Sequence, residues 1–144
     1  MSLLNLTPIY QEDPTGCVLA CIATVTQIPY EEVKRTFCYL FGELEDGVTS
    51  HQEKAILAKL GWGHSIIEYD RYSSLHDNKT FILTVPSLNN TPHGAHRIVM
   101  QIDSDGNRYI HDPNGKEGLK RYGTAEGETS VICFFEPTEI IYGK

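Results

Sequence analysis

The sequence predicts an α+β domain, and three observations carry that expectation. Helical periodicity is confined to roughly the first sixty residues. After Trp62 the pattern changes to short segments rich in β-branched and aromatic residues, bounded by Gly, Pro, Asn and Asp. Between two of those segments, Ser104-Asp105-Gly106-Asn107 is a strong hairpin signal, because Asp-Gly accepts the positive φ angles of a tight turn. Helices first and a mostly antiparallel sheet after them define the α+β class. At 144 residues the chain reads as a single domain over 1–144, large enough to bury a core without staples.

Each element has its own signal. Asp13 is a candidate N-cap, with Pro14 at the first helical position. From Cys17, the apolar residues Val18, Ala20, Cys21, Ile22 and Val25 recur at helical spacing until Pro29 stops the run. A second helix is expected after Pro29, with Val33, Phe37, Leu40 and Phe41 inward and Gly42 at its end. A third opens at Thr49, where Thr49-Ser50-His51-Gln52 has the form of a capping box. Ile56, Leu57 and Leu60 supply its apolar face, and Gly61 supplies the stop. Strands are expected at 64–69, 80–85, 96–102, 109–112 and 131–136.

Composition excludes several partners. The formal net charge is -7, and the sequence has no basic stripe that could neutralise phosphates, so neither nucleic acid nor an anionic membrane surface is an expected partner. Glu43-Leu44-Glu45-Asp46 reads as a solvated loop. The opening Met-Ser-Leu-Leu-Asn-Leu-Thr-Pro has neither a basic region nor an apolar core, so no signal peptide is expected. No stretch approaches the roughly 18 apolar residues that span a bilayer. The expected compartment is the cytoplasm, where thiols stay reduced. Cys17, Cys21, Cys38 and Cys133 show no paired CxxC spacing, and the only metal set worth weighing joins the first three to His51. The expectation is no metal and no cofactor. The oligomeric state is not legible.

The chemistry gathers around Cys17. Thiolate is the nucleophilic form, and a helix N-terminus favours it through partial positive charge and unpaired N–H groups. Gly16 omits a side chain just before it, leaving room for a substrate backbone. The Cys17 N–H offers one donor to a developing oxyanion, and the side-chain amide of Gln11, six residues earlier, can fold back as the second. The competing description makes Cys17 a small buried residue and Gln11 a surface one. Cys21 and Cys133 lie in apolar runs and read as core, and Cys38 reads as structural.

A nucleophilic Cys needs a base, and the base needs an orienting group. His51, His64 and His76 have nothing distinctive around them, whereas His96 precedes the apolar strand Ile98-Val99-Met100. With the turn at Asp105-Gly106, paired positions sum to about 211. Residues near His96 therefore face 113–115, and Asp112 falls within diagonal reach of the ring. Asp112 would then hold the productive tautomer. His93, in a loop-like Thr-Pro-His-Gly, is an alternative base, and Asn114 an alternative orienting residue. His111 adjoins Asp112 and so points to the opposite sheet face.

The order of these motifs is Gln11, then Thr15-Gly16-Cys17 opening a helix, His96 before an apolar strand, and Asp112-Pro113-Asn114-Gly115 after the next. It resembles the papain-like cysteine peptidases, above all the small bacterial group that cleaves double-glycine leader peptides. The resemblance covers roughly residues 8–115, through short motifs. It implies Gln11 in the oxyanion hole, Cys17 as nucleophile, His96 as general base and Asp112 as its orienting partner. It also implies a papain-like fold, with the nucleophile opening the first of the helices that pack on the sheet. Val18 and Ala95 depart from the group, which commonly has Gly at both positions. The expected function is thiol-dependent hydrolysis of a peptide or other amide in a peptide or protein substrate. Acyl transfer or deamidation uses the same machinery, and a catalytically silent papain-like binding module is the alternative of a different class.

Overall fold

A computed structural model describes residues 6–45, 47–66, 79–86, 95–106, 108–113 and 138–141. Three helices, α1 (Cys17–Thr26), α2 (Tyr30–Phe41) and α3 (Ser50–Lys59), precede a sheet. The strands are β1 (Gly63–Ile66), β2 (Lys79–Pro86), β3 (Ala95–Ile102), β4 (Arg108–His111) and β5 (Thr138–Ile141). Among the described residues every pairing is antiparallel, and the strand order is β1-β5-β2-β3-β4. The domain is therefore α+β, as its pattern predicts.

α1 is the centre of the core. It packs against β3, α2 and α3, and every residue from Val18 to Thr26 is buried. A helix covered on all sides needs apolar residues all round, which Val18, Leu19, Ile22 and Val25 supply together with the small Ala20, Cys21 and Ala23. Full burial of one such aliphatic side chain contributes about 1.5–3 kcal/mol. The two buried threonines are satisfied locally. Thr26 Oγ1 donates to the Ile22 carbonyl at 2.7 Å, and Thr24 Oγ1 both accepts the Ile9 N–H at 3.0 Å and donates to the Ile9 carbonyl at 3.3 Å. The second pair straps the segment before α1 onto the helix.

α2 turns Val33 and Phe37 inward, with Leu40 half-buried against the core. Phe41, expected inward, lies 39% exposed at the helix end, with its ring tilted against Phe37 at 5.5 Å. Cys38, expected to be structural, is exposed. α3 opens on the capping box its sequence announces: Thr49 Oγ1 accepts the Gln52 N–H at 3.1 Å, and Gln52 Oε1 accepts the Thr49 N–H at 2.9 Å. Past the C-cap Leu60, Gly61 adopts φ 87°, the left-handed region in which a side chain is strained.

The β3–β4 hairpin carries the register that matters for the site. Val99 pairs with His111 and Ile102 with Arg108, so opposed positions sum to 210, one less than the expected value. The turn closes through the Gly106 N–H on the Asp103 carbonyl at 3.1 Å, with Gly106 at φ 87°. Asp103 Oδ1 also accepts the Asp105 N–H at 2.9 Å, an Asx turn that fixes the same corner. The first expected strand begins one residue early, at Gly63, while the one expected at 131–136 lies outside the described residues. β5 was not among the expected strands. It is inserted between β1 and β2, which only long-range pairing can specify.

Candidate active site

The segment before α1 is folded differently from its local pattern, and the difference shapes the site. Residues 14 and 15 form a turn, the helix begins at Cys17, and Gly16 is the N-cap without any side-chain capping bond. Asp13 therefore does not cap α1. Its carboxylate is held elsewhere: Oδ2 accepts the Tyr30 hydroxyl at 2.7 Å, and Oδ1 lies 3.1 Å from Lys34 Nζ. The Tyr30 bond, followed by Lys34, outweighs partial burial and holds the Asp13 carboxyl below its ordinary pKa. The backbone carbonyl of Asp13 accepts the Gly16 N–H at 3.0 Å, closing the turn.

The missing side chain at Gly16 serves this packing rather than a substrate. Gly16 is buried, and a Cβ built there would collide with the Tyr30 hydroxyl. Gly16→Ala is expected to destabilise the domain by about 1–3 kcal/mol through overpacking. Because the obstructing atom is the phenolic oxygen, Gly16→Ala/Tyr30→Phe should recover part of the loss in urea unfolding. A double variant no more stable than Gly16→Ala would refute the steric account.

At the head of α1, the Cys17 thiol is placed beside the His96 ring and the Arg97 backbone, and both act on its ionisation. His96 Nε2 lies 2.7 Å from Asp112 Oδ1, with both side chains largely buried. With Nε2 engaged by the carboxylate, Nδ1 is the ring nitrogen left for the thiol. Three residues separated by 79 and 16 positions are thereby brought together, with His96 bonded to Asp112 and neighbouring Cys17. The register explains the last link. A sum of 210 brings position 112 opposite Ile98, two residues from His96, so Asp112 is a diagonal neighbour of His96 on the same face of the sheet.

The electrostatics favour a charged pair. Burial pushes the Cys17 thiol up, but the His96 hydrogen bond and charge, aided by Arg97, outweigh it and bring the pKa below that of an ordinary thiol. Burial pulls His96 down, yet the bonds to Asp112 and Cys17 raise it to about 9. Both shifts favour thiolate and imidazolium together. Cys21 is entirely buried and is pushed well up by that burial, so it remains a protonated core residue, as its apolar setting predicts.

Gln11 sits at the same turn, but its amide faces backbone. Nε2 donates to the carbonyls of Asp13 at 3.0 Å and Pro14 at 3.2 Å, and its backbone N–H donates to the Pro113 carbonyl at 3.0 Å. The Pro113 bond ties the segment before the nucleophile directly to the residue after Asp112. Oε1 is buried and accepts no hydrogen bond among the described residues. The expected oxyanion donor is in this state a clamp on the turn that delivers Cys17.

His111 and His51 stand apart from the site. His111 Nε2 donates to the Ile9 carbonyl at 2.7 Å, and its ring stands edge-on to Tyr10 at 4.9 Å, on the face opposite Asp112. His51 is exposed on α3. His76, His93, Asn114 and Cys133 lie outside the described residues. Among the described residues, no group of three or more His, Cys, Asp or Glu side chains is placed to hold a metal ion, and the set of Cys17, Cys21, Cys38 and His51 is not assembled. Among the same residues, no helix is long and apolar enough to cross a membrane.

One neighbour of the site gave no sequence signal. Arg97, beside His96, is buried, with Nη2 donating to Ser50 Oγ at 2.7 Å and Nε 3.5 Å from Glu53 Oε1. Glu53 is 1% exposed, although in sequence it reads as an ordinary acidic residue in the first turn of an exposed helix. No protein-family model matches the chain. No curated protein matches it either.

Proposed function

We propose that this chain is a thiol-dependent hydrolase of peptide or other amide bonds, built on a papain-like plan. The observation that carries the reading is the His96–Asp112 pair, bonded at 2.7 Å and set beside Cys17 at a helix N-terminus without a side-chain cap. The Cys17 thiolate attacks the substrate carbonyl carbon, and the carbonyl π electrons move onto oxygen. The Cys17 N–H stabilises that oxyanion, since the first-turn N–H groups of a helix have no intrahelical acceptor. As the tetrahedral intermediate collapses, the C–N bond breaks and the amine leaves with the His96 proton. The acyl group remains on Sγ as a thioester. His96, now neutral, takes a proton from water, the resulting hydroxide adds to the thioester, and the acid departs as the thiolate reforms. Asp112 holds the ring and stabilises its cationic form throughout. The substrate is a peptide or protein segment, and the cytoplasm is a compartment that keeps such a thiol reduced.

The test uses p-nitrophenyl acetate, which needs no side-chain recognition. A nitrophenolate burst should accompany a mass increase of one acetyl group confined to Cys17, and Cys17→Ala should abolish both. Acetylation spread over Cys38 at a similar rate, without a burst, overturns the reading.

Gln11 supplies the second oxyanion donor if it releases one backbone carbonyl, the longer Pro14 bond being the weaker candidate to keep. Gln11→Ala should then lower turnover by roughly 10²- to 10³-fold, the usual loss for one such donor, with little change in Cys17 alkylation. A second reading draws on the same amide: with both Nε2 donors engaged at the turn, the fold would serve as a catalytically silent binding module. An unchanged turnover in Gln11→Ala would favour neither donor role, whereas acetylation without deacylation would favour the silent module.

A further inference from the structure

Three features outside the triad concentrate on one strand end. The β3–β4 register ends at Val99↔His111, and two residues earlier the Arg97 backbone lies beside Cys17, where it lowers the thiol's pKa. The same residue's guanidinium is buried and fixed from α3 by Ser50 at 2.7 Å and by the Glu53 carboxylate at 3.5 Å. Its neighbour in sequence is the base itself.

We propose that Arg97 is a positioning residue for the thiol chemistry: its buried, α3-anchored side chain locks the start of β3 so that His96 and the Arg97 N–H converge on Cys17, and its fixed positive charge favours the thiolate. This inference rests on the hydrolase reading above. A cation this close to a thiol has a one-way effect, since it stabilises only the ionised form. Burial strengthens that effect because little water screens it. The charged groups acting on the Cys17 thiol are His96 and Arg97 from β3, while Cys21 lies one turn along α1, and Glu53 and Asp112 act on Cys21. Among them, Asp112 acts on Cys17 through the His96 it binds, and Glu53 faces Arg97. Arg97 is therefore the cation that persists when His96 loses its proton. Burying an Arg–Glu pair at no functional gain is a poor route to stability, since a well-packed apolar pair serves as well or better.

The experiment is the pH profile of Cys17 carboxymethylation, resolved by mass spectrometry. The single variant Arg97→Gln leaves Glu53 charged in the interior and is prone to unfold, so the informative variant is Arg97→Gln/Glu53→Gln, which removes both charges together. Its Cys17 rate near pH 6.5 should fall about threefold or more, with the profile displaced to higher pH. Arg97→Lys keeps the charge, so its profile should lie nearer the parent's than the double variant's does. A cooperatively folded double variant with the parent profile overturns the proposal while leaving the hydrolase reading standing. A parent protein whose Cys17 titrates like an ordinary thiol overturns both.

Discussion

His96→Ala is expected to slow carboxymethylation of Cys17 near pH 6.5 by about 10- to 100-fold, and the deficit should close above pH 9. An ordinary thiol with a pKa of about 8.5 is about 1% thiolate at pH 6.5, which sets the upper figure. The lower figure allows for the reduced nucleophilicity of a less basic sulfur. The direction follows from the two shifts. Burial alone raises the Cys17 pKa, and His96 is the leading influence that reverses it. Without the ring, the thiol returns to or above the ordinary range. The parent profile should show reactive Cys17 below that range. Hydrolysis should follow a narrower profile than alkylation, because it also needs the imidazolium proton. It should decline as pH rises through about 9, where His96 deprotonates. Alkylation has no such upper limb. Parallel alkylation profiles in His96→Ala and the parent would dissolve the ion pair and the mechanism with it.

How much of this could be read from the chain depends on whether the cause was local. The α3 capping box involves neighbours three residues apart, and the structure holds both of its hydrogen bonds. The hairpin register followed from one Asp-Gly turn to within a single position. That local fact was enough to bring His96 and Asp112, 16 residues apart, onto one face. Most of the failures have distant partners. Asp13 had the side chain of a helix cap, but Tyr30 and Lys34, from the next helix, claim its carboxylate. Gly16 had the openness of a substrate approach, but Tyr30 fills it. Gln11 lay at the right turn, yet nothing in its spacing to Cys17 told where the amide would point. The Arg97–Glu53 pair joins a strand to a helix 44 residues earlier in the chain, and neither residue carries a pattern that announces burial. The position of β5 in mid-sheet belongs to the same class, since pairings with β1 and β2 span far more chain than any turn signal.

Asp112→Ala is expected to leave the fold intact and to lower turnover of an amide substrate sharply, by up to about 10⁴-fold, the loss that follows removal of the orienting carboxylate in a Ser-His-Asp triad. Asp112 is 2.7 Å from Nε2 and is the first of the influences that raise His96. Its removal has two consequences. The ring loses the acceptor that fixes Nε2 as the protonated nitrogen, so Nδ1 is no longer held for the thiol. The imidazolium also loses its nearest negative charge, so its pKa should fall from about 9 toward the ordinary histidine range. The descending limb of the hydrolysis profile should therefore move to lower pH, a displacement that mere loosening of the hairpin would not produce. Asp112→Asn separates the two contributions. It keeps a side chain of the same shape and an acceptor oxygen, so orientation is partly preserved while the charge is lost. Its turnover should lie between those of the parent and Asp112→Ala, with a limb displaced as far as in the alanine variant. The expected loss applies to amide substrates in particular, because the expelled amine needs the His96 proton, whereas p-nitrophenolate leaves without it. Acetylation of Cys17 by p-nitrophenyl acetate should thus fall much less than amide turnover. Equal losses on ester and amide, with the limb unmoved, would mean that Asp112 supports the hairpin and not the proton transfer.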